Sequence, residues 1–208
     1  MKQVRAVQTR RALVRAAAGL FDRDGYERTS LSAVSDAARV SKGALSFHFD
    51  SKAQLANAVE DEGYAEARCA VGVAARAGRT PLQTVIEVTH ALGRLLEGDD
   101  ALARAAVRLA RERERGGPVA LDWHGAWEPA VRVLLRQARA DRSLRPEADL
   151  PAIEAMVELL VVGVELAYRR HAGAYRRAEL TARFWRTALP GIAAPGVLPK
   201  LRVEGLAD

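Results

Sequence analysis

The chain has 208 residues, 49% of them hydrophobic and 28% charged, with a formal net charge of +6. That length can bury a substantial core, and a single cysteine, Cys69, excludes a disulfide-stapled scaffold. The apolar run Leu159 to Val164 is too short to span a bilayer and no signal-type apolar stretch precedes the basic N-terminal region, so the chain is expected to be cytoplasmic with no membrane partner.

From Thr9 to Arg23, Ala12, Leu13, Ala16, Ala17, Leu20 and Phe21 recur at intervals of three and four, which predicts an amphipathic helix stopped by Gly25. Phe21 and Tyr26 flank the junction where small helices must meet and are read as core aromatics. Next come two short apolar-periodic helices joined by a tight turn, Thr29 to Phe49. Ser30, with Thr29 as the alternative, can cap the first, which buries Leu31, Val34, Ala37 and Ala38. After the turn Arg39-Val40-Ser41, Ser41 can cap a second helix with Ala44, Leu45 and Phe49 facing the core. That leaves Lys42, Gly43, Ser46 and His48 partly outward. From Met1 to Lys52 ten Lys or Arg residues face five acids, so a quarter of the chain holds most of the excess positive charge. A helix-turn-helix in such a setting suits insertion into the major groove of double-stranded DNA.

These residues also resemble a known family. The run Leu20-Phe21-Asp22-Arg23-Asp24-Gly25-Tyr26, then Thr29-Ser30-Leu31, Val40-Ser41-Lys42-Gly43-Ala44-Leu45, Phe47-His48-Phe49 and Ser51-Lys52-Ala53-Gln54-Leu55 is similar to TetR-type one-component transcriptional regulators. Lys42 to Leu45 with Phe47 to Phe49 is most similar to the actinobacterial gamma-butyrolactone receptors, a subgroup that includes receptors for butenolide and furan signals. Those regulators commonly carry tyrosine where this chain has Ser46, so a contact attributed to that tyrosine is not carried over.

For DNA the candidates are Thr29, Ser30, Ser41, Lys42, Gly43, Ala44, Ser46, His48 and Lys52. Lys42 can reach a guanine edge or a phosphate, Ser46 has little reach, and His48 suits a backbone oxygen or a structural role beside its aromatic neighbours. Gly43 and Ala44 keep the helix start slim enough for close approach. Thr29 and Ser30 could bond phosphate as well as cap, and Lys52 opens the next helix near the same backbone. With so few base readers, DNA shape is expected to supply part of the specificity.

Beyond this head, a long helix is predicted from Asp50 or Ser51 to about Arg76, ended by Gly78 and Pro81. Helical patterns follow at about Pro81 to Leu96, Asp100 to Arg113, Asp122 to Asp141, Leu150 to His171 and Ala174 to Leu189. The expected fold is all-α, with a DNA-binding domain at 1–51, a helical ligand-binding and dimerisation domain at 52–190, and a poorly committed tail at 191–208.

Within the second domain Trp123 and Trp127, four apart on one predicted helix after the Gly116-Gly117-Pro118 break, could wall a pocket or simply fill the core. The resemblance favours Trp127, since gamma-butyrolactone receptors carry a tryptophan at the matching position. Val88, Leu92, Val107, Val131 and Val161 are further candidates for an apolar wall. Glu165 interrupts an apolar run and suits either a ligand hydroxyl or a rim position; His90 and Tyr168 are additional polar candidates. The family plan implies a homodimer through the last two long helices, with Met156, Leu160, Val164, Ala167, Leu180, Phe184 and Trp185 supplying apolar area, and hence a palindromic operator. The ligand implied is a small apolar signal such as a butyrolactone, butenolide or furan that releases a repressor from DNA. The alternative is a ligand-independent regulator or architectural DNA binder.

No nucleophile, base and orienter are grouped as in a hydrolase, the enzymatic alternative, so no catalytic residues are assigned. The four histidines and Cys69 lack metal-ligand spacing, and neither metal nor cofactor is expected.

Overall fold

The structure, a computed structural model, describes residues 2–77, 79–98, 101–114, 123–170 and 177–205. The architecture is all-α. In chain order the helices are α1 (Lys2–Asp24), α2 (Leu31–Ala38), α3 (Lys42–His48), α4 (Lys52–Arg76), α5 (Pro81–Glu97), α6 (Leu102–Glu114), α7 (Glu128–Ala140), α8 (Leu150–Arg170) and α9 (Arg177–Ile192), with 3-10 turns at His124–Ala126 and Leu198–Lys200. Gly78 and the Gly116-Gly117-Pro118 break lie outside the described residues. The chain packs as two compact units, one of residues 1–67 with 98–126, the other of 68–97 with 127–208. This division by packing cuts through α4, whereas the functional boundary read from sequence lies at Ser51–Lys52.

In the first unit α1 packs against α2, α3 and α6. Its helix begins at Lys2 rather than Thr9, because residues 2–8 contain no breaker and Thr9 spends its hydroxyl on Arg5 O at 2.9 Å instead of capping. Leu13, Val14, Ala17, Ala18 and Phe21 are its buried positions, while Ala12, Ala16 and Leu20 are half-buried. The true stripe is thus turned by one residue from the predicted one, since alanine and valine alike satisfy either register. Val34, Leu45, Phe49, Leu55, Ala56 and Val59 close the core. Ser30 caps α2 by accepting from Ala33 N at 3.1 Å, and Ser41 caps α3 by accepting from Ala44 N at 3.2 Å. Ala37, predicted inward, is exposed, and Ser35 takes the buried place by donating to Ser32 O at 2.9 Å. Arg39 ends α2 in the left-handed region, φ 54°. At the start of α4, Gln54 N donates to Ser51 Oγ at 3.1 Å while the Gln54 amide oxygen accepts from Asp50 N at 2.7 Å, a reciprocal cap.

In the second unit α5 is the central helix, packed by α7, α8 and α9 and buried along nearly all its length. Trp185 of α9 is fully buried and donates Nε1–H to Thr89 Oγ1 of α5 at 2.9 Å. The predicted helix from Asp122 begins only at Glu128: His124–Ala126 is a 3-10 turn, and Trp127, φ −132° ψ −31°, precedes the helix with Pro129 in its first turn.

The tail after Pro190 is committed, contrary to its glycine- and proline-rich composition. Helix α9 runs through Pro190 to Ile192, although the proline supplies no N–H to the carbonyl of Arg186 four residues earlier. Beyond it, Ala193 bridges Leu144, and Ala194 N donates to Ser143 O at 2.9 Å. Further on, Arg202 N donates to Gln83 Oε1 at 2.8 Å, Gln83 Nε2 donates to Arg202 O at 3.0 Å, and His90 Nε2–H donates to Val203 O at 2.8 Å. Main-chain pairing of this kind leaves no periodic signature in sequence.

His90 is 2% exposed. Burial holds its imidazole below the ordinary 6.5 despite the Val203 carbonyl, with Arg94 lowering it further and Glu204 opposing. The unfolded chain therefore takes up this proton first: the stabilisation is complete above pH 6.5 and declines as pH falls below it, until His90 itself charges. Wild-type melting temperature is expected to drop more steeply between about pH 7 and 5 than that of His90→Gln, which keeps a donor but no titration; parallel slopes would contradict this assignment.

Candidate nucleic-acid interface and ligand wall

Of the first unit's helices, α3 offers the most open reading face. Lys42, Gly43, Ser46 and Phe47 are exposed, with Ala44 and His48 half-buried behind them. Ser41, exposed, caps the helix through Oγ, which leaves its hydroxyl able to donate to a partner. A Cβ on Gly43 would meet nothing within 4 Å, so the glycine is not required by the fold, which fits a place where a partner approaches closely. Sequence reasoning overlooked Phe47. It is 80% exposed, packed only edge-on against His48 at 5.2 Å, and grouping it with the neighbouring aromatics of the motif hid it. A large ring standing in solvent between Ser46 and His48 is suited to a thymine methyl or a deoxyribose face.

Two predicted DNA contacts are taken up by the protein itself. Thr29 is buried and donates Oγ1–H to Gly25 O at 2.8 Å. Lys52 donates Nζ–H to Tyr26 O at 2.9 Å and Glu27 O at 3.3 Å, with its ammonium 4.3 Å from the Tyr26 ring centroid. Both residues stitch the α1–α2 turn. Ser30 remains exposed.

That turn is gripped from a third side by α6. Arg108 donates to Asp22 O at 2.7 Å and Arg23 O at 3.2 Å, satisfying carbonyls left open at the end of α1, and pairs with Glu112 at 2.9 Å. Glu112 in turn accepts from Tyr26 N at 2.8 Å, and Arg104 pairs with Asp22 at 2.8 Å. Gly25, φ +85°, sits beneath this cluster; a Cβ there would lie 2.6 Å from Arg108 Nη2 and 2.8 Å from Glu112 Oε1. The glycine spacing announced the turn, but nothing in the α6 sequence distinguished these side chains from a solvated charged face.

On the basic helix α1, Arg5, Arg10, Arg11 and Arg15 are all exposed. Arg10 is partly engaged, 3.6 Å from Glu62 and 5.3 Å from the Phe49 ring.

The ligand-wall candidates divide between the units. Val107 is buried on α6 of the first. In the second, Trp127, Val88 and Leu92 are buried core, with Trp127 1% exposed. The two indoles do not share a helix: Trp123 precedes the 3-10 turn and Trp127 the start of α7, so their four-residue spacing carries no common face. Trp127 and Val131 line a surface groove of about 230 Å³ with Glu128, Arg132, Pro151, Glu154, Ala155 and Glu158, more charged than an apolar pocket. Val161 lines a separate cavity with Thr89, Gly93, Leu96, Leu160, Val164 and Thr181 that encloses about 10 Å³, room for one water at most. His90 is bonded to the tail and faces no such space. The side chains of Glu165 and Tyr168 lie outside the described residues.

Of the residues expected at a subunit interface, Leu160, Val164 and Trp185 are buried within the chain, and the side chain of Ala167 lies outside the described residues. Leu159 and Leu166 are instead the open apolar positions, 70% and 44% exposed, and a Cβ on Gly163 between them would meet nothing within 4 Å. With Ala152 and Ala155 they form one stripe along α8, and half-buried Leu180, Phe184 and Ala188 form another along its neighbour α9.

Among the described residues no group of His, Cys, Asp and Glu could hold a metal ion, and no helix is long and apolar enough to cross a membrane.

Residues 13–59 match the family described as bacterial regulatory proteins, tetR family. Across its whole length the chain is 35% identical to the A-factor receptor protein of Streptomyces griseus, of which it covers 72%. It is similar to the crystal structure of a gamma-butyrolactone receptor (ArpA-like protein), with TM-score 0.79 and 27% identity over 96% of this chain and 98% of that one. It is also similar to CprB from Streptomyces coelicolor in complex with its biological operator sequence, with TM-score 0.76 and 28% identity over 94% of each chain.

Proposed function

The chain belongs to the tetR family of bacterial regulatory proteins and is a DNA-binding transcriptional regulator, and from that premise we propose that it is a homodimeric repressor released from a palindromic operator by a small, mostly apolar lactone-type signal. The observation that carries the DNA-binding role is the open face of α3, with Lys42, Gly43, Ser46 and Phe47 in solvent and the turns around it fixed by internal bonds. Ser30, Ser41 and Ala44 complete the contact set as hydroxyl and amide donors, and His48 stands behind Phe47. Residues 1–51 read DNA, while 52–190 bind the signal and the second copy.

Signal binding to the second unit is supported by full-length similarity to the A-factor receptor protein and to gamma-butyrolactone receptors. Trp127 is the anchor of the proposed site, with Val88, Leu92, Val131 and Val161 in the same unit and Glu165 as a secondary member. The close packing around these residues suits a DNA-competent resting state. A signal then acts by favouring an opened arrangement, and it shifts the equilibrium only by as much as it binds that arrangement more tightly. Butyrolactone, butenolide and furan compounds are the classes to compare.

The homodimer rests on the paired apolar stripes of α8 and α9, which leave Leu159 uncovered in a single chain. One short reading helix touches few base pairs, whereas a symmetric pair reads two half-sites. Leu159→Glu, at an exposed position where the fold tolerates charge, is expected to convert the dimer to monomer in analytical ultracentrifugation and to weaken operator binding with it. A dimer of unchanged mass would move the interface elsewhere.

A further inference from the structure

We infer that residues 201–205 are a releasable strap, held by one face of α5 whose side chains bond peptide main chain, and that strap closure biases the signal-binding wall on the opposite side of the same helix. The inference rests on the signal-pocket reading above for its second half only. Three observations carry it.

First, this face of α5 holds backbone, not side chains. Gln83 offers both atoms of its amide to the N–H and the C=O of Arg202, at 2.8 and 3.0 Å, as a neighbouring strand would. His90 donates to the next carbonyl, Val203 O, at 2.8 Å. Gly205, φ +73°, then crosses the imidazole so closely that a Cβ would lie 2.8 Å from it. Gln83, Glu87 and His90 recur at four and three residues, so all three stand on one face of α5.

Second, the closure is lightly held. Arg202 and Glu204 are exposed, Leu201 and Val203 only half-buried. The ion pair of Glu204 with Arg186 of α9, 3.3 Å, lies in solvent and contributes little. A few hydrogen bonds set against the ordering of five residues place the segment at the low-stability end of the molecule. Opening would also hydrate His90, which burial keeps from its proton.

Third, the position matters. At about 100° per residue, Val88 and Leu92 lie roughly half a turn round α5 from Gln83 and His90. The strap thus presses on the back of the helix whose front carries two of the proposed signal-wall residues, while α9 holds the helix from the side through Trp185 and Thr89.

The test uses the full-length chain and two variants: Gln83→Ala, which removes the backbone reader, and Gly205→Ala, which disturbs the strap without changing a residue of α5. Trypsin cleavage after Arg202 reports opening. Both variants are expected to be cut at least about tenfold faster than wild type, with operator affinity within about twofold. The concentration of an alkyl γ-butyrolactone that releases half the operator should shift at least about threefold in both. Cleavage rates equal to wild type would overturn the strap. Faster cleavage with an unshifted release midpoint would overturn its link to the signal wall. If the wild type is not released by the lactone, the signal reading fails by itself, and the cleavage ratio still decides the strap.

Discussion

Gly25→Ala should cost the protein about 2–5 kcal/mol and strongly weaken operator binding, the strain of a left-handed backbone adding to the loss of the hydrogen bonds that a Cβ displaces. The groups a Cβ would strike are Arg108 and Glu112, whose bonds to Asp22, Arg23 and Tyr26 fix the α1–α2 turn. They are ends of flexible side chains, so the overlap is relieved by breaking those bonds rather than by unfolding the helix. Urea denaturation would measure the loss, and anisotropy with labelled operator its effect on DNA affinity. A variant of wild-type stability and affinity would mean that the α6 grip does not position the reading head.

The second large effect lies on the reading face itself. Lys42→Ala is expected to cost about 1–3 kcal/mol per half-site, counted twice in a dimer, and to lower the salt dependence of binding by about one phosphate per subunit if Lys42 bonds the backbone. Phe47→Ala, removing a ring that supports nothing in the fold, should leave the melting temperature unchanged while reducing discrimination at thymine positions of the half-site. A salt titration against operator and random duplex separates these outcomes. Equal affinity of the wild type for both duplexes would remove the recognition role from α3.

The reading head was legible in sequence because its information is local. Ser30 and Ser41 are caps that announce themselves three residues before the amides they satisfy, and Gly25 marks a left-handed turn that other residues resist. The internal bonds that spacing did not announce share one cause. Thr29 and Lys52 carry groups able to bind phosphate, yet the fold brings Gly25 O and Tyr26 O within reach of them first, and a partner 26 residues away leaves no trace in spacing. Phe47 was missed because an aromatic beside a core aromatic carries no signal of its own until the helix phase is known.

The second unit was legible as helices and not as a site. Trp127 and Trp123 looked like one face because a continuous helix was assumed, and the 3-10 turn between them cancels that geometry. Leu160 and Leu159 are indistinguishable by type, and only the phase of α8 decides that the first is core and the second open. The tail was missed because its contacts are made by Gln83 and His90 to main chain, a pairing indifferent to the sequence it holds.

Detachment of this regulator from its operator by a small signal can be followed by anisotropy as butyrolactone, butenolide and furan compounds are titrated into a preformed complex of the dimer with its operator. Saturable release by one of these classes, at a concentration that leaves binding to random duplex unchanged, is the predicted result; an operator complex that stays intact at saturating levels of all three would contradict it.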